Sequence, residues 1–229
     1  MPGMRTENRP RCKLGDQHPA SRIRKLTGKG NEDDMKNIEN YNYDDVEQMY
    51  PEKRFEIING KLYLMTPASV QHQKIARNLT VLIGSSMKER ADKCELFPAP
   101  TGLYLNKEDA SHKTNSVEPD LFVICEYGLT NNGVHVIGVP RLIIEILSPS
   151  TVKKDRDDKK KLFEKNGVPV FWLVDVGNQI IEEYVLEMDL ETGKEEYKFK
   201  NAYTNENKDA ITWDNEGHSY AFNLVDIFE

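Results

Sequence analysis

Leu142-Ile143-Ile144-Glu145-Ile146-Leu147 is the stretch on which the fold turns. It is apolar on both faces, which marks a central strand of a sheet covered on both sides. Its single acid is out of place there. A carboxylate in such a strand loses hydration worth several kcal/mol unless a cation or hydrogen-bond donors compensate it. Glu145 is therefore paired with Arg or Lys, held neutral by a raised pKa, or recruited to a functional site.

Upstream, Glu118-Pro119-Asp120 opens a second apolar strand, Leu121–Cys125. If the two strands pair, Asp120 and Glu145 converge. Two anions ~4 Å apart at an effective dielectric near 20 repel by roughly 4 kcal/mol. A divalent cation would hold such a pair together, and hard oxygen ligands suit Mg²⁺ or Mn²⁺.

Downstream, Asp155–Asn166 reads as a helix ended by Gly167. Its apolar stripe is Leu162 and Phe163, and Lys159 lies one turn before them on that face, with Asp155 a further turn back. Lys159 either snorkels, pairs with Asp155, or supplies a cation beside the acids. Lys160 and Lys161 read as solvent-facing. The run Lys153, Lys154, Arg156, Lys160, Lys161 and Lys165 is interleaved with Asp157, Asp158 and Glu164, so a solvated face is expected in preference to a phosphate track. Val170–Val174 is another apolar strand, with Phe171 and Trp172 in the core and Asp175 capping the next turn.

Towards the N-terminus, Asn42 caps a short helix through Met49, and Phe55–Ile58 and Lys61–Met65 flank Asn59-Gly60, a tight-hairpin turn. Ser69 starts a long helix with Ile75, Leu79, Leu82 and Ile83 on one face. His72 shares that face and reads as a core histidine in preference to a site residue. Glu95–Leu105 reads as one strand interrupted by Pro98 and Pro100, hence an edge or a bulge. Ile180–Leu186 and Glu195–Phe199 form a hairpin around Thr192-Gly193.

The 229 residues suit one domain and include no apolar run long enough to span a membrane. No apolar segment follows the charged N-terminus, so no secretory leader is expected. Residues 1–34, with a net charge of +3, read as a disordered arm or upstream sequence, leaving 35–229 as the folded domain. The rest carries −10, which argues against coating nucleic acid by bulk electrostatics. Cys12, Cys94 and Cys125 suggest neither a disulfide framework nor a zinc site, and a cytoplasmic setting follows as the default.

From Tyr41 to Glu229 the chain resembles the Uma-two family, within the PD-(D/E)XK restriction-endonuclease-like superfamily. The blocks that carry the resemblance are Arg54–Gly60, Ser69–Gln73, Glu118-Pro119-Asp120, Glu145–Thr151, Asp155–Lys159 and Gly167–Asp175. The resemblance implies an α/β fold with a restriction-endonuclease-like core: a central mixed β-sheet flanked by helices, with an N-terminal β-hairpin and a C-terminal β extension. It implies a metal-dependent endonuclease acting on DNA, in which Asp120 and Glu145 bind Mg²⁺ or Mn²⁺. The tripeptide's lysine position holds Leu147, a departure, and the resemblance implies that Lys159 takes its role. Glu56 matches a family acid that completes the site, and Phe163 stands where the family often has Tyr. A catalytically inactive binding module on the same fold is the alternative, and the sequence leaves a homodimer open.

Overall fold

A computed structural model describes residues 40–206 and 210–229. The arm expected over residues 1–34, and the domain start at 35, lie outside the described residues.

The chain opens with α1 (Tyr43–Met49), whose Asn42 cap accepts the Asp45 N–H at 3.0 Å. The hairpin β1 (Phe55–Ile58) and β2 (Lys61–Leu64) follows. Its turn places Asn59 and Gly60 at φ 51° and 74°. A Cβ on Gly60 would stand 2.9 Å from the Asn40 backbone, so both conformation and space require glycine there. Ser69 caps α2 (Val70–Glu89), which buries Ile75, Leu79, Ile83 and Met87 at four-residue intervals.

Six strands build the main sheet. They are β3 (Glu95–Pro98), β5 (Leu121–Ile124), β8 (Leu142–Leu147), β9 (Val170–Asp175), β10 (Ile180–Met188) and β11 (Glu195–Tyr203). Their spatial order is β11-β10-β9-β8-β5-β3. Only β8 and β9 run parallel, so the sheet is mixed, and β8 is central as its all-buried pattern requires. A second, three-stranded sheet joins β4 (Gly102–Tyr104), β7 (His135–Ile137) and β6 (Gly128–Leu129).

Apolar residues on the two faces of the main sheet enter separate clusters. Leu121, Val123, Ile144, Ile146, Trp172 and Val174 pack with α2. Phe122, Ile124, Ile143, Leu147, Phe171 and Leu173 pack with Leu162 and Phe163. The first face is closed by β12 (Ile211–Asn215), β13 (His218–Phe222) and α5 (Leu224–Phe228), through Trp213, Tyr220, Phe222 and Ile227. Among the described residues no helix is long and apolar enough to cross a membrane.

Three expectations are corrected. Glu95–Leu105 is not one strand: β3 is the edge of the main sheet, and after Pro98-Ala99-Pro100 the chain enters β4 of the other sheet. The segment expected as one α-helix from Asp155 begins as a π-helical turn (Lys154–Lys159) and continues as α4 (Lys160–Lys165), with a further short helix, α3 (Lys107–His112), capped earlier by Asn106. Finally, Cys94 and Cys125 form a disulfide. The β3–β5 register pairs Glu95 with Ile124, so the residues one step outside that pair face each other across the strands.

Candidate active site

The register Leu121↔Ile144 between β5 and β8 sets Asp120 opposite Glu145 one step further along. By strand alternation Asp120 shares its face with Phe122, and Glu145 with Ile143 and Leu147, so both acids project towards the π-helical turn and α4. The Ile146 N–H donates to Asp120 Oδ2 at 2.7 Å and fixes that carboxylate. His72 Nε2 lies 3.2 Å from the same oxygen, reaching across from the first turn of α2. His72 is thus a buried histidine at the helix start that contacts a predicted site acid.

Lys159 is 2% exposed, and its Nζ lies 2.7 Å from Glu145 Oε1 and 2.7 Å from Glu56 Oε1. Asp155 Oδ1 stands 3.9 Å from the same ammonium and has no hydrogen-bond partner among the described residues. Glu56, fully buried on β1, also accepts the Glu118 N–H at 2.9 Å, and its Oε2 pairs with Lys154. Glu56 is therefore engaged by three donors and holds the two lysines in place.

Lys154, expected on a solvated face, is drawn inward. In an α-helix, residues five apart point about 140° away from each other. A π-turn bonds i to i+5 and brings such residues onto one side. Lys154 and Lys159 accordingly both reach Glu56. Two other cations of the run are also engaged. Arg156 makes two 2.7 Å bonds to Glu182 on β10, and Lys160 Nζ, expected in solvent, sits 3.5 Å above the Tyr184 ring.

Four carboxylates (Glu56, Asp120, Glu145 and Asp155) meet two ammonium groups in this cluster. Burial opposes the Lys159 charge, yet Glu145, Glu56 and Asp155 hold its pKa well above the ordinary lysine value. Burial would also raise Glu56, but Lys159 and Lys154 outweigh it and bring the carboxyl to about 2. Glu145 moves the other way: burial pushes it well up, Lys159 offsets part of that, and Asp155, Asp120 and Glu56 add to it. Burial raises Asp155 as well. The surplus negative charge falls on the residues at the centre of β8 and the first turn of the helix.

Asp120 and Glu145 supply carboxylate oxygens, the donor type that hard divalent cations take. Among the described residues no group of three or more His, Cys, Asp or Glu is arranged around a common ion position. A site with only two carboxylates is nevertheless the kind that Mg²⁺ accepts, with waters and substrate phosphate filling the octahedron. Added positive charge beside Glu145 would also offset the burial, and the repulsion from Asp155, Asp120 and Glu56, that raise its pKa.

A family model described as "Putative restriction endonuclease" and named Uma2 matches residues 42–208. The chain belongs to the Uma2 family. The fold of this Uma2 protein is also that of a crystal structure titled "a putative nuclease belonging to DUF820" from Anabaena variabilis. The two are 20% identical with a TM-score of 0.55, over 76% of this chain and 89% of that one. Comparison with curated proteins finds no match. The Uma2 match spans Glu56, Asp120, Glu145 and Lys159, the four residues singled out from the sequence.

Proposed function

We propose that the protein is an endonuclease that hydrolyses phosphodiester bonds in DNA with Mg²⁺ or Mn²⁺. The observation that carries this reading is the buried Lys159 ammonium, 2.7 Å from both Glu145 and Glu56, on the strand face shared with Asp120. Asp120 and Glu145 would hold the ion, which when bound polarises a phosphoryl oxygen and lowers the pKa of a water. The Ile146 N–H and His72 keep the Asp120 carboxylate pointed at that position. Lys159, fixed by Glu56, orients the attacking water and offsets the negative charge that grows on phosphorus in the pentavalent transition state. The water releases a proton to solvent as its oxygen bonds to phosphorus, the bridging P–O bond breaks, and the departing oxygen takes a proton from solvent.

Plasmid DNA incubated with the purified protein and Mn²⁺ tests this. Nicking by the wild type that is abolished in Lys159→Ala is the expected result. Equal activity in both proteins would trace the cleavage to a contaminant and end the assignment.

A second reading, a module that keeps the fold and binds without cutting, is favoured by Leu147 at the tripeptide's lysine position and by the acidic body. It predicts no Mn²⁺ binding that depends on Glu145.

A further inference from the structure

Two lysines meet at Glu56, and their surroundings differ. Lys159 forms the floor of the cluster, 2% exposed and wedged between Glu145 and Glu56. The Lys154 side chain is 10% exposed and pairs with the other oxygen of Glu56, Oε2. That ion pair uses one of three ammonium donors. Of the acids, Glu56, Glu145 and Asp155 are at most 3% exposed, whereas Asp120 is 19% exposed. A substrate arriving from solvent thus meets Asp120 and Lys154 before it meets anything else in the cluster.

We infer that Lys154 is the amine that contacts a non-bridging oxygen of the scissile phosphate, while Lys159 remains beneath it among the carboxylates. This rests on the nuclease reading above. The surroundings of Lys154 suit an anionic backbone. Its Nζ lies 5.7 Å from the centre of the Tyr63 ring, and the Lys61 Nζ lies 4.8 Å from the same ring. Lys61 and Tyr63 project from the same face of β2, and Lys61 is exposed, so it extends the cationic lip outward. Tyr63 is anchored by donating its O–H to Asp158 at 2.5 Å. The negative groups near the lip are Asp158, Glu56 and Asp155. Glu56 is already matched by two lysines, and Asp158 is taken by the phenol. In a molecule of net charge −7 this short basic edge beside Glu56 offers a phosphate two cationic partners.

The test uses the full chain as wild type, Lys154→Met and Lys154→Arg. Binding of a fluorescein-labelled DNA duplex is followed by anisotropy in Ca²⁺ at several salt concentrations, alongside Mn²⁺-dependent cleavage. Losing one phosphate contact should reduce the slope of log affinity against log salt by about 0.9, which amounts to about eightfold weaker binding at 0.1 M salt. Lys154→Met should show this loss, and Lys154→Arg should restore the slope. If Lys154→Met does not fold, Glu56→Gln/Lys154→Met removes the ion pair as a unit and should give the same change in slope. A wild type that cleaves DNA beside a folded Lys154 variant with unchanged binding and slope would overturn this inference and leave the nuclease reading standing. A wild type that neither binds nor cuts DNA would overturn both.

Discussion

Lys159 Nζ donates to Glu145 Oε1 across 2.7 Å, so the acid that interrupts the central strand is answered by an amine from the following helical turn. Glu145 depends on this cation, whereas Lys159 keeps Glu56 as a second partner. Removing one partner of a buried ion pair typically costs about 3–5 kcal/mol, because the remaining charge is left without compensation. In Lys159→Ala, denaturant unfolding should therefore show a destabilisation of that order together with loss of nicking. A variant as stable as the wild type would mean that the ammonium is not buried against these carboxylates.

Glu145 gives a prediction of the opposite sign. Its folded pKa is raised, so the stability it contributes is present below its unfolded pKa and is lost as pH rises through the folded value. Glu145→Gln, without metal, should at neutral pH be at least as stable as the wild type. It should also lose the response to Mn²⁺: at one hundred times Kd a single bound ion stabilises the native state by about 2.7 kcal/mol. Thermal melts with and without Mn²⁺ check both statements. An identical Mn²⁺-induced rise in Tm for the two proteins would remove Glu145 from the ion's ligands and favour the binding-module reading.

Glu56 titrates in the other direction. Its carboxyl falls from an ordinary 4.5 to about 2, so its contribution is complete above pH 4.5 and disappears as pH falls towards 2. Glu56→Gln should cost about 3 kcal/mol at neutral pH. Urea unfolding across pH 7 to 3 should show the gap to wild type narrowing below pH 4.5. A gap that stays constant with pH would show that the lysines do not perturb this group.

The Cys94–Cys125 pair is testable by thiol counting. Unfolded without reductant, the chain should expose one titratable thiol, Cys12, and after reduction all three. The bridge closes a loop across 31 residues, so replacing both cysteines with Ala should cost about 3–4 kcal/mol. Three free thiols in protein never exposed to reductant would show that the pair does not form in solution.

Signals confined to one element were legible in the sequence. Asn59-Gly60 fixed the hairpin, Ser69 the start of α2, and the apolarity of Leu142–Leu147 on both faces, Glu145 aside, the centre of the sheet. The opposition of Asp120 and Glu145 was reachable because adjacent antiparallel strands leave few registers. Features that depend on another element or on an irregular turn were not reachable. Lys154 turns inward only because its helix begins in π geometry, which the 3.6-residue period conceals. His72 meets an acid 48 positions away in sequence, and Cys94 meets Cys125 only once β3 pairs with β5. The alternation of Ile211, Trp213, Tyr220 and Phe222 was present in the sequence but too short to stand out without its partner strand.

Those last strands bear on where the domain may be trimmed. The family match stops at residue 208, but Trp213, Tyr220, Phe222 and Ile227 pack in the same cluster as Ile75, Leu79 and Ile83, and Asn78 Nδ2 donates to the Ile227 carbonyl at 3.0 Å. A fragment shortened to the family boundary would strip the outer layer from one side of α2 and leave that helix with a bare oily flank. Such a fragment should be recovered in inclusion bodies or as a protease-sensitive species, whatever the state of its acids and lysines.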